Sequence, residues 1–131
     1  LCLLSKQDGL FQIADCRQVR HTLSNPNDSE SVRKFQFMLK KLFEDYKVKR
    51  AVIRERPTKG KFAGGAVGFK IEAAIQLIDT VEVDLFSGAK VKDIIQHNPM
   101  PIPFKATGLR AFQEGAFTVA YAALSEYIPE A

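Results

Sequence analysis

Apolar and polar residues alternate along several short segments, and this alternation predicts β-strands. The first apolar run is followed by Asp8-Gly9, a pair typical of tight turns between strands. A compact β-branched run, Ala51-Val52-Ile53, is typical of a buried strand. The predicted strands cover residues 1–5, 10–13, 18–23, 50–53 and 81–86.

Apolar residues recur at helical spacing in four other segments. The clearest helix begins near Asn27, whose spacing to Glu30 resembles a capping box, and its apolar positions continue to Tyr46. The Pro-rich segment 98–103 predicts irregular structure, because proline removes a backbone donor. The predicted helices cover residues 29–46, 67–78, 91–96 and 109–127.

The order of these elements predicts a mixed α/β fold, with an antiparallel start and helical crossovers later. A length of 131 residues suits a single domain, 1–131. Because the chain opens directly on an apolar run, either an upstream piece is missing from this sequence or the first strand lies at a sheet edge, and we expect the missing piece. No apolar run approaches the roughly 20 residues of a membrane helix. Cys2 and Cys16 are too few for a disulfide scaffold and predict buried thiols in a cytoplasmic protein.

The net charge of +4 is concentrated in one part of the chain. Residues 47–61 hold seven basic residues and one acidic residue, whereas residues 111–131 hold three acidic residues and no Lys or Arg. A dense basic segment attracts phosphate groups. An exposed, solvated loop has the same composition, so both interpretations are open.

Glu55 is the first candidate for chemistry, because it follows the predicted strand 50–53 almost directly. Ligands of open α/β sheets gather at the carboxyl ends of strands, and a carboxylate there suits a hard cation such as Mg²⁺. Glu55 also lies between Arg54 and Arg56, so a salt-bridge cluster is the alternative. The loop that follows carries Lys59 and Lys61, which suit a general phosphate-contact loop ahead of a helix.

Glu114 is the second candidate, because it lies in a segment otherwise rich in apolar and small residues. A carboxylate among such neighbours is costly unless it is paired, bound to a metal, or exposed near the start of the helix. The helix macrodipole favours glutamate in a first turn, which gives a purely structural alternative.

The run from Val52 to Lys70, which contains Arg54-Glu55-Arg56-Pro57, resembles the core of an uncharacterised bacterial family of unknown function. Segments 72–78 and 112–117 resemble it too, so the similarity covers essentially the whole chain. That family is similar to the RNase H-like superfamily and, within it, to the RuvC-type Holliday-junction resolvases. The resemblance implies a three-layer α/β/α fold with strand order 3-2-1-4-5, whose central first strand would precede Leu1.

The resemblance also implies a nuclease that uses two Mg²⁺ or Mn²⁺ ions held by about four carboxylates. Glu55 matches the carboxylate at the end of the fourth strand, Glu114 matches one on the last helix, and Lys92 matches a lysine that meets phosphate. The last helix of the family usually offers a second ligand one turn away, and this chain has none there. Glu72 and Asp84 are further carboxylates without a matching position.

The first expected function is therefore a metal-dependent nuclease of the RNase H-like superfamily. The alternative is a non-catalytic RNase H-like module that binds nucleic acid or a protein partner. A homodimer is expected, because RuvC-like proteins are commonly dimers and the helix with Phe35, Phe37 and Phe43 offers extensive apolar surface. The residues expected to contact nucleic acid are Arg54, Arg56, Lys59, Lys61 and Lys92.

Overall fold

The computed structural model describes residues 1–57, 59 and 65–126. The chain divides into two compact units, one formed by residues 21–85 and the other by residues 1–20 together with 86–131. The strands and α-helices, in chain order, are β1 (Leu4–Gln7), β2 (Leu10–Ile13), α1 (Ser29–Asp45), β3 (Arg50–Arg54), α2 (Ala66–Gln76), β4 (Glu82–Phe86), α3 (Gly88–His97) and α4 (Glu114–Glu126). Two 3₁₀ helices, Phe104–Thr107 and Ala111–Gln113, precede α4.

The mixed α/β class predicted from the sequence is confirmed. Within the described residues, β1 pairs with β2 and β3 pairs with β4, which gives two sheets of two strands each. The RNase H-like strand order and the single domain stay predictions. None of the helices in this part of the chain is long and apolar enough to cross a membrane.

The unit 21–85 is organised by the packing of α1 on α2. The buried residues of α1 recur at helical spacing and turn one face inward. Gln36 Nε2 donates to the carbonyl of Ala74 at 2.8 Å and so joins the two helices directly. In the same unit, the Glu82 amide donates to the Lys49 carbonyl at 3.0 Å at the start of the β3–β4 pairing. The buried apolar residues of this unit are Leu23, Phe35, Leu39, Leu42, Phe43, Ala74 and Ile78.

In the other unit, β1 and β2 form an antiparallel hairpin in which Leu4 pairs with Ile13. The predicted turn is confirmed, since Asp8 and Gly9 both adopt positive φ, 52° and 80°. Helix α4 packs on β1 and on α3. The Tyr121 ring lies 4.8 Å from the ring of Phe11.

The Tyr121 hydroxyl lies 2.8 Å from each of two successive carbonyl oxygens, those of Asn98 and Pro99. This tyrosine on α4 therefore fixes the start of the predicted irregular segment 98–103, which lies outside regular helices and strands.

Two local predictions are wrong. Residues 18–23 form no strand, because side chains satisfy nearby carbonyls: Cys16 Sγ lies 3.2 Å from the Gln18 carbonyl oxygen, and Gln18 Nε2 lies 3.3 Å from that of Arg20. Asn27 does not cap α1, whose N-cap is Asp28. The Asn27 side-chain oxygen instead accepts a hydrogen bond from Lys70 Nζ at 3.2 Å.

Candidate functional site

The predicted basic and acidic residues around Glu55 lie exposed at the end of β3. Arg54 is the last residue of the strand, and Glu55 and Arg56 follow it before Pro57. Within the described residues Glu55 makes no ion pair with either arginine, so the salt-bridge alternative is not what the structure shows. A carboxylate and two guanidinium groups are consequently open to solvent side by side along the chain.

Arg56 extends over the first turn of α2, where Gly68 provides room for it. A methyl group at Gly68 would lie 2.7 Å from Arg56 Nε, which is closer than such atoms approach each other. The absence of a side chain at this position therefore lets the arginine rest against the helix. Lys59 is exposed in the following loop, and Lys61 lies outside the described residues.

Glu72 lies one helical turn beyond Gly68, and its side chain is buried, with 9% of its surface exposed. Its Oε2 atom has no hydrogen-bond partner among the described residues. Gly68, against which Arg56 rests, lies four positions before Glu72, and side chains of a helix generally lean toward its N-terminus. The burial of Glu72 is invisible in the sequence, because it depends on packing rather than on local pattern.

Asp84, the other unmatched carboxylate, is engaged in an ion pair. Its Oδ2 lies 2.9 Å from Arg50 Nε across the β3–β4 pairing. Both side chains are partly exposed, and such surface pairs contribute little to stability. The Asp84 carboxylate is thus engaged by Arg50 of the neighbouring strand.

Glu114 and Lys92 belong to the unit that contains α3 and α4, whereas Glu55 belongs to the other unit. Glu114 is the first residue of α4 and is exposed, so the macrodipole favours its charge and no desolvation cost arises. Lys92 is exposed on α3. Phe117, one turn after Glu114, is buried and offers no ligand.

The donor chemistry of Glu55 fits a hard divalent cation. Mg²⁺ keeps several waters and is commonly held by only one or two carboxylates, so an exposed glutamate is a suitable donor. The described residues contain no group of three or more His, Cys, Asp or Glu side chains placed to hold a metal.

Cys2 and Cys16 are both free thiols. The sequence predicts that they are buried, but in the structure both are only half-buried. Burial raises the pKa of the Cys2 thiol, because the thiolate is poorly solvated there.

These features define a mixed α/β protein with an exposed acidic and basic cluster at the end of β3. Residues 1–123 match the family described as a protein of unknown function (DUF3010), and the chain belongs to that family. No curated protein and no solved structure matches the chain significantly. The expected membership of a family of unknown function is thereby confirmed.

Proposed function

We propose that this protein is a metal-dependent nuclease that hydrolyses nucleic-acid phosphodiesters, with the RNase H-like strand order 3-2-1-4-5. The observation that carries the proposal is the exposed carboxylate of Glu55, which makes no ion pair among the described residues and lies between the exposed Arg54 and Arg56. A carboxylate suits a hard cation, and guanidinium groups suit phosphate oxygens. The order of strands and helices along the chain supports the fold part of the proposal.

In this proposal Glu55 holds Mg²⁺ or Mn²⁺, which when bound stabilises the negative charge that develops on the phosphate. Arg54 and Lys59 bind neighbouring phosphates through their exposed charges. Arg56 rests against α2 at Gly68, so its guanidinium loses less freedom when it binds phosphate.

The other unit contributes two exposed groups to the proposal. Within that unit the proposal takes Glu114, at the start of α4, as a metal-binding carboxylate and Lys92, on α3, as a phosphate contact. Lys61, which lies outside the described residues, completes the proposed set of cationic residues that follow β3 in the sequence.

The test is cleavage of labelled four-way DNA junctions, RNA–DNA hybrids and single strands with Mg²⁺ or Mn²⁺. We expect Glu55→Gln and Glu114→Gln to abolish cleavage. The matched control Glu44→Gln, at an exposed position on α1, should keep it. Equal cleavage by the wild type and Glu55→Gln would identify a contaminant and contradict the proposal.

The second candidate is a non-catalytic module that binds nucleic acid through the same cationic residues. It is favoured by the exposed cluster of Arg54, Arg56 and Lys59, which needs no metal to attract phosphate. Binding that weakens with salt and with Lys59→Gln, but without cleavage on any substrate, would select this candidate. If neither binding nor cleavage occurs, both nucleic-acid proposals fail.

We also propose that the protein is a cytoplasmic homodimer. Phe35 and Phe43 are buried, but Phe37 and Met38 on α1 keep 67% and 47% of their surface exposed. Such side chains favour contact with a second copy. Sedimentation should give a dimer that Phe37→Ser weakens, and a monomer at high concentration would contradict this.

A further inference from the structure

The packing of α1 on α2 leaves an open groove of about 270 Å³ along the two helices. Its floor and walls are mainly aliphatic, formed by Val32 on α1, by Ala73 and Ala74 on α2, and by Leu77, which directly follows α2 as its C-cap residue. Leu77 keeps 75% of its surface exposed, the largest value among the exposed large hydrophobic residues described. A leucine left so open beside an aliphatic groove gains by burial against another apolar surface.

The groove is held in shape by contacts of its own lining residues. Gln36 joins α1 to α2 through its hydrogen bond to the Ala74 carbonyl. Lys70 Nζ donates to the Pro26 carbonyl at 2.7 Å and so fixes α2 to the segment that precedes α1. Because these hydrogen bonds already hold the walls of the groove in place, little conformational entropy is lost when a ligand binds.

Two cations, Arg33 and Lys70, line this apolar groove, and neither pairs with an acidic side chain in the part of the chain that the structure describes. Arg33 is exposed and makes no ion pair within the described residues. Among the described residues, Lys70 bonds only to the neutral oxygens of Pro26 and Asn27. The nearby lysines differ, since Lys34 pairs with Glu30 and Lys40 pairs with Asp79. The groove therefore combines an aliphatic floor with uncompensated positive charge.

We propose that this groove binds a peptide segment of a partner protein that carries apolar anchors flanked by Asp or Glu. Apolar anchors of a short peptide fit an interhelical groove, and acidic flanking residues complement Arg33 and Lys70. Nucleic acid fits less well, because its bases stack on aromatic rings and the lining residues are aliphatic. This interaction is independent of the proposed nuclease site.

The experiment selects short peptides from a random phage-displayed library on the immobilised full chain. The affinities of the recovered peptides are then measured by fluorescence polarisation. We expect recovered sequences that combine Leu, Ile or Phe with Asp or Glu. Leu77→Ser and Arg33→Glu should each weaken their binding about tenfold or more, since one aliphatic contact or one charge reversal is of this order.

The control variants carry the same kinds of substitution, Leu to Ser and a cation to Glu, at positions outside the groove. Leu10 is 68% exposed on β2, and Lys41 is exposed on α1 outside the groove lining. Leu10→Ser and Lys41→Glu should leave the peptide affinity unchanged. Circular dichroism of each variant checks that it is folded.

Three results would overturn the proposal. One is failure to recover acidic, apolar peptides, and another is an affinity that Leu77→Ser and Arg33→Glu do not change. The third is displacement of the peptide by a single-stranded oligonucleotide, or a dimer in sedimentation that Leu77→Ser disrupts, because the groove would then serve nucleic acid or self-association.

Discussion

Replacing the buried carboxylate of Glu72 by an apolar side chain should stabilise the protein. Glu72 is 9% exposed, and its Oε2 lacks a hydrogen-bond partner among the described residues. An unsatisfied buried polar group costs about 1–3 kcal/mol. Methionine has a similar unbranched shape and nearly the same helix propensity as glutamate. The substitution Glu72→Met should therefore raise the free energy of unfolding by about 1–3 kcal/mol.

The assay is equilibrium unfolding in urea, followed by circular dichroism in the presence of EDTA. With a slope of about 2 kcal/mol per molar urea, the midpoint should rise by roughly 0.5–1.5 M. Glu72→Gln should gain less, because its carboxamide also needs hydrogen-bond partners. The control Glu44→Met, at an exposed position of α1, should change stability by less than about 0.5 kcal/mol.

A lower midpoint for Glu72→Met, with Glu44→Met unchanged, would refute this reasoning. It would show that the Glu72 carboxylate is satisfied in solution by a group that compensates for its burial. Because EDTA is present, that group would have to be water or part of the chain.

Two further predictions concern the core and the thiols. Leu42 is 2% exposed, so Leu42→Ala should lower the free energy of unfolding by about 2–5 kcal/mol in the same urea assay. The control Leu77→Ala, at a 75% exposed position, should change the free energy of unfolding by less than about 0.5 kcal/mol. Burial raises the pKa of the Cys2 thiol by disfavouring its thiolate. In a Cys16→Ser variant, alkylation of Cys2 by iodoacetamide should therefore need a higher pH than alkylation of the free amino acid cysteine. Equal alkylation rates for the two thiols, measured by mass spectrometry, would contradict this prediction.

The helices were largely predictable because their signals are local. The apolar spacing of α1 predicts its extent to within one residue, since the helix runs from Ser29 to Asp45. The capping residue was not predictable, because Asn27 is engaged by Lys70, 43 positions further along the chain. The predicted strand at 18–23 fails for a similar reason, since side chains occupy carbonyls that a sheet neighbour would need.

Only those parts of the candidate site that follow from the order of residues along the sequence were predictable. Glu55 follows an apolar β-branched run, so its place at the end of β3 could be read from the sequence. The burial of Glu72 and the room that Gly68 leaves for Arg56 depend on how the chain packs around α2. The groove between the helices was not predictable either, because Val32 and Leu77 line one surface only when α1 packs on α2.

The division of the chain has a consequence for its synthesis on the ribosome. Residues 21–85 form a unit that is continuous in sequence, so all of its parts have been made before residue 86 is added. The other unit contains both the first residues and α4, and Gln113 Nε2 donates to the Leu1 carbonyl across 112 positions at 2.8 Å. Such distant contacts form slowly, and here they must wait until translation of the described chain is almost finished. Codon changes that slow translation after residue 85 should therefore favour folding of the first unit before the second.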